Sequence, residues 1–98
     1  MTTKEKEQRA IFIGGKPFMN YVTGVVIQFN KGSNEVTIKA RGKFISKGVD
    51  VAEVVRKKSM EKEKVLVENV LIGSEEFKNK EGKLTKVSTI EIILKRKT

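Results

Sequence analysis

The sequence predicts an α/β domain of the two-layer α+β type, ordered β-α-β-α-β-β: a four-stranded mixed sheet, two helices on one of its faces, and an extended hairpin made by the last two strands. Three observations predict it. Two stretches repeat apolar residues at helical spacing. The segments before and between them run apolar or alternate, as strands do. The C-terminal part pairs two β-rich segments across a polar connection.

Residues 1–9 form a charged tail, expected to be disordered, and 10–98 a single domain without internal repeat or linker. Ala10-Ile11-Phe12-Ile13 reads as a short buried strand, broken by Gly14-Gly15-Lys16-Pro17. Pro17 suits the first turn of a helix, where its missing N–H costs nothing. Apolar residues at 18, 22, 25, 26 and 29 then give the stripe of a helix with one face in the core, and Lys31-Gly32-Ser33-Asn34 ends it. From Glu35 to Arg41 the chain alternates, with Val36, Ile38 and Ala40 on one side and Thr37, Lys39 and Arg41 on the other, the pattern of a half-buried strand. A right-handed parallel crossover should join it to the first strand.

Gly42 and Lys43 lead into a second helix, with Ile45, Val49, Ala52 and Val55 on its buried face. Val51 and Val54 widen that face, and a helix apolar on more than one side needs more than one partner. These two valines are therefore candidates for a subunit interface. Arg56-Lys57-Lys58 closes the helix, where cations favour the macrodipole. Lys64 to Ile72 and Val87 to Lys95 are β-rich, and in the stretch between them Asn79-Lys80-Glu81-Gly82 reads as a turn with Gly82 left-handed. The flanks of the turn are polar on both sides, which predicts an arm projecting into solvent.

Composition narrows the function. There is no Cys and no His, which removes disulfides, thiolate chemistry, imidazole catalysis and Cys/His zinc sites. No cofactor and no metal is expected. The apolar runs are far too short to cross a bilayer, and Met1 to Arg9 carries no apolar leader, so the expected compartment is the cytoplasm. Lys and Arg number 21 against 12 Asp and Glu, a net charge of +9 that points to an anionic partner. Nucleic acid fits better than a membrane, because no basic amphipathic helix with aromatic anchors is present.

Three basic clusters are candidates for contact. Lys16 sits in a Gly-rich loop ahead of a helix N-terminus, where backbone N–H groups bind phosphate in other proteins. Lys39, Arg41, Lys43 and Lys47 form an acid-free stretch of four cations, whereas an ordinary solvated surface mixes signs. Lys78, Lys80, Lys83 and Lys86 lie on the hairpin, and a basic β-ribbon can enter a DNA groove. An enzyme is not expected. Asp50 and Glu53 are near one another on the second helix, but Lys47 and Lys57 stand in pairing range, and no converging carboxylates suit a two-metal nuclease.

These residues also carry a resemblance. From Ile11 to Lys95 the chain resembles the Alba family of archaeal chromatin proteins. The matching blocks are Ile13-Gly14 with Lys16-Pro17, Met19-Asn20-Tyr21-Val22, Ile38-Lys39-Ala40-Arg41-Gly42-Lys43, Ile45-Ser46-Lys47, Val49-Asp50, Val54-Val55-Arg56, Gly73-Ser74 and Val87-Ser88-Thr89-Ile90-Glu91-Ile92. The resemblance implies a fold like the C-terminal domain of bacterial translation initiation factor three. It also implies a homodimer, bound to the chromosome in the cytoplasm, that holds double-stranded DNA and also RNA with little sequence preference. It assigns contact roles to Lys16, to Arg41 with Lys43, and to the hairpin from Lys78 to Lys86. Two departures stand out. Gly15 occupies the place of the family's usual acetylated lysine, and Ser59-Met60 replaces an aromatic used between dimers. The competing expectations are an RNA chaperone or ribonucleoprotein subunit with the same surface, and a magnesium-dependent nuclease using Asp50 or Glu53.

Overall fold

The computed structural model describes residues 9–58 and 64–97. Residues 1–8 of the expected tail, and Ser59-Met60, lie outside the described residues. The elements are β1 (Ala10–Phe12), α1 (Phe18–Asn30), β2 (Glu35–Arg41), a 3-10 turn (Gly42–Phe44), α2 (Ile45–Lys58), β3 (Lys64–Lys78) and β4 (Leu84–Lys97). They form a four-stranded sheet in the order β1-β2-β4-β3, with β1 parallel to β2 and the other neighbours antiparallel. This is the expected β-α-β-α-β-β fold.

The alternation in β2 decides which side of the sheet is covered. Val36, Ile38 and Ala40 are buried, and their partners across the ladder are Leu94, Ile92 and Ile90 of β4, also buried. Both helices pack on this face. α1 contributes Tyr21, Val22, Val25 and Phe29, and α2 contributes Val51, Ala52 and Val55. The other face of the sheet carries Thr37, Lys39 and Arg41. β1 is an edge strand and follows the same rule, so it is not buried throughout: Ile13 is in the core, but Phe12 is 66% exposed on the open face.

Three further expectations are corrected. Pro17 is the N-cap residue of α1, one place outside the helix, with an extended ψ of 144°. On α2 the buried face is Gly48, Val51, Ala52 and Val55, while Val49 is 39% exposed. Gly48 is the reason: a Cβ there would stand 3.1 Å from that of Ala40, so the helix lies against β2 where it has no side chain. Val51 is fully buried by its own chain and has no surface left for a second subunit, which removes it from the expected interface. Val54 is half-buried against the core.

The last two strands are longer than the sequence pattern suggested, and the polar stretch is strand up to Lys78 and again from Leu84. The turn is as expected. Gly82 has φ 82°, its N–H donates to the Asn79 carbonyl at 3.0 Å, and the Asn79 side chain accepts from the N–H groups of Glu81 and Lys83. A register shift between Val67 and Asn69 marks a bulge in β3.

Candidate nucleic-acid interface

Topology brings the basic residues to one edge of the sheet. β1 and β2 are parallel, so Lys16, just after β1, and Arg41 and Lys43, at the end of β2, leave the sheet on the same side. β4 runs the other way. Arg41 pairs with Thr89, Thr89 pairs with Gly73, and beyond this row β3 and β4 continue as a free two-stranded ribbon. From Gly73 to Lys78 the ribbon reaches roughly 17 Å past the sheet at ordinary strand rise. It ends in the turn bearing Lys80 and Lys83. Both helices start at this edge, so both macrodipoles place their positive ends there.

The loop between β1 and α1 is tied from two sides. The Tyr21 hydroxyl accepts hydrogen bonds from the N–H groups of Gly14 and Lys16, at 2.9 and 3.0 Å. Lys47, on the first turns of α2, donates through Nζ to the carbonyls of Gly14 and Lys16, at 2.8 and 2.6 Å. The same ammonium lies 5.0 Å from the ring centre of Tyr21 and 5.9 Å from that of Phe44. Two of the loop's amide groups are thus occupied within the chain and are not offered to phosphate as expected. The Lys16 side chain itself is exposed.

The acid-free stretch from 39 to 47 is not acid-free in space. Lys39 lies 3.2 Å from Glu91 on the neighbouring β4, and Arg41 lies 3.3 Å from Glu75 of β3. Each cation also stands over a ring, Lys39 over Phe12 at 5.6 Å and Arg41 over Phe77 at 6.0 Å. On the arm, Lys86 is 3.7 Å from Glu76. No acidic partner is found among the described residues for Lys16, Lys43, Lys78, Lys80 or Lys83. These five, with the exposed Arg41, form the accessible positive edge. Lys47 is the one candidate whose charge is turned inward.

Sequence reasoning missed Tyr21 as a loop ligand, and it missed the acids supplied by β3 and β4. No local signal announces such contacts, because sheet order sets them. The carboxylates considered for catalysis do not converge: among the described residues no three His, Cys, Asp or Glu side chains group together. Glu53 instead meets Arg56 at 2.7 and 2.9 Å, and this hydrogen bond holds its carboxyl below the ordinary range.

Comparison with known proteins agrees with this fold. The Alba family model matches residues 9–74. The DNA/RNA-binding protein Alba of Methanocella arvoryzae is 50% identical over 92% of each chain. DNA/RNA-binding protein Alba 1 of Archaeoglobus fulgidus is 48% identical over 92% of this chain and 98% of its own. The solved structure of Alba from Thermoplasma volcanium has a TM-score of 0.80 at 47% identity, covering 89% of this chain and 99% of that one. The first two are named as DNA/RNA-binding proteins, and none of the three is named as an enzyme. The chain belongs to the Alba family.

Proposed function

We propose that this protein binds double-stranded DNA, and RNA, through the phosphate backbone, without strong sequence preference, and that it coats or compacts chromosomal DNA as a homodimer. The observation that carries this reading is the meeting of Lys16, Arg41, Lys43 and the arm lysines at one edge, beside two helix N-termini. Charges there are mostly lysines on mobile stems, which suit phosphates rather than the fixed fork geometry of base readout. The names of the relatives support the same partner class.

The homodimer rests on an uncovered apolar strip. On the helix-side face of β3, only Val65 is buried; Val67, Val70 and Ile72 are 37%, 47% and 84% exposed. Full burial of an exposed side chain of this kind is worth about 1.5–3 kcal/mol, and each of these gains the share that its exposed surface represents. A second copy presenting the same strip buries six, a self-complementary arrangement typical of two-fold dimers. The half-buried Val54 of α2 has surface to add to it. The interface assigned by this reading is therefore centred on β3 and not on Val51.

Competition titrations with matched DNA and RNA duplexes test the function. Affinity should change little when the DNA sequence is scrambled at constant length; a strong preference for one sequence contradicts the proposal. A preference for RNA of a hundredfold or more would replace chromosome coating by the RNA-binding role.

A further inference from the structure

We infer that Tyr21 and Lys47 are positioning residues that set the shape of the Gly14–Lys16 loop and so present Lys16 to phosphate, an inference that rests on the duplex-binding reading above. Gly14-Gly15 is among the least constrained dipeptides a chain can hold. Left alone, such a loop would lose much conformational entropy on binding. Here four of its backbone groups are pinned. The Tyr21 hydroxyl accepts two N–H groups, and the Lys47 ammonium donates to two carbonyls. The ammonium also lies over the Tyr21 ring, so the two side chains form one unit across α1 and α2.

The geometry gives Lys47 a different task from Lys16. Two of its three donors are used within the chain, and its charge is bracketed by two aromatic rings. Its position is set by the loop, and one donor is left for anything else. Its positive charge instead offsets the crowding of two carbonyl dipoles beneath an exposed lysine. Pre-organisation of this kind raises affinity by lowering the ordering cost, not by adding a contact.

The test uses the full chain, a labelled DNA duplex and three single variants: Tyr21→Phe, Lys47→Met and Lys16→Ala. Tyr21→Phe keeps the ring and every charge, and removes only the acceptor. It should weaken binding about three- to tenfold, the scale of one or two lost hydrogen bonds. Combined with Lys16→Ala it should cost nothing beyond Lys16→Ala alone, because there is no lysine left to position. Amide exchange at Gly14 and Lys16 should accelerate in Tyr21→Phe while the core amide of Ile38 stays protected. Lys47→Met should weaken binding as Tyr21→Phe does, and Lys47→Arg should restore part of the loss. Wild-type affinity for Tyr21→Phe beside a weakened Lys16→Ala overturns the positioning role but leaves the interface standing. Full additivity of Tyr21→Phe with Lys16→Ala also overturns it. Wild-type affinity for Lys16→Ala overturns both the duplex-binding reading of this loop and the inference built on it.

Discussion

Lys16 and Arg41 bring the same charge to the same edge in different company. Lys16 has no acidic partner among the described residues, whereas Arg41 is shared with Glu75 and Phe77. An exposed ion pair such as Arg41–Glu75 is worth about 0–1 kcal/mol, and a charge-assisted hydrogen bond to an anion about 1.5–3 kcal/mol. On the proposed reading phosphate should displace Glu75, at a small cost. Lys16→Ala should weaken binding to every duplex by about 1 kcal/mol or more, read by titration. Glu75→Gln should tighten it by about two- to fivefold, since the competitor for Arg41 is gone; an unchanged or weaker affinity would show that Glu75 does not compete. At this scale the sequence was half legible. Runs of lysine can be read along a chain, but the acids opposite them cannot, because Glu75 is 34 positions from Arg41 and meets it only once β4 has paired with both strands. The clamp on the loop was illegible for the same reason: Tyr21 and Lys47 lie on different helices.

The arm and the second helix show where periodicity works and where it fails. The turn at Asn79–Gly82 was readable because its cause is local, a glycine in a left-handed conformation and an asparagine that bonds its own backbone. The buried face of α2 was misread because periodicity counts side chains and Gly48 has none. Its importance lies in the missing atom, which lets the helix approach Ala40. Gly48→Val should push the helix off β2 and lower stability by about 1–3 kcal/mol, measured by thermal or denaturant unfolding. A stability equal to wild type would mean the helix is not held at that contact. The arm should be dispensable for folding, since none of its residues from Gly73 to Leu84 is buried. Replacing 76–86 by a short turn should keep the melting temperature within a few degrees while reducing groove protection and bending of the duplex. An unfolded chain would contradict this reading of the arm.

For the whole molecule, strand order matters more than any one residue. Placing β4 between β2 and β3 leaves β3 at an edge and exposes the apolar strip of Val67, Val70 and Ile72. The sequence pattern gave the element order and the arm but not the strand order, because pairing between distant strands leaves no trace in local periodicity. That is why the interface expectation, which took in α2 and the strands after it, named residues on α2 alone. Ile72→Asp should leave the fold intact, since this side chain is 84% exposed in the single chain, yet convert a dimer to a monomer in sedimentation. A wild-type chain that sediments as a monomer at micromolar concentration would contradict the dimer. The central claim is that a cluster of cations at one sheet edge reads phosphates, and the dependence of duplex affinity on salt tests it most directly. Lys16, Arg41 and Lys43 from two subunits give six contacts before the arms are counted. At about 0.9 log unit per phosphate on B-DNA, log affinity should fall against log salt with a slope of about −5 or steeper. A slope near zero would contradict the account.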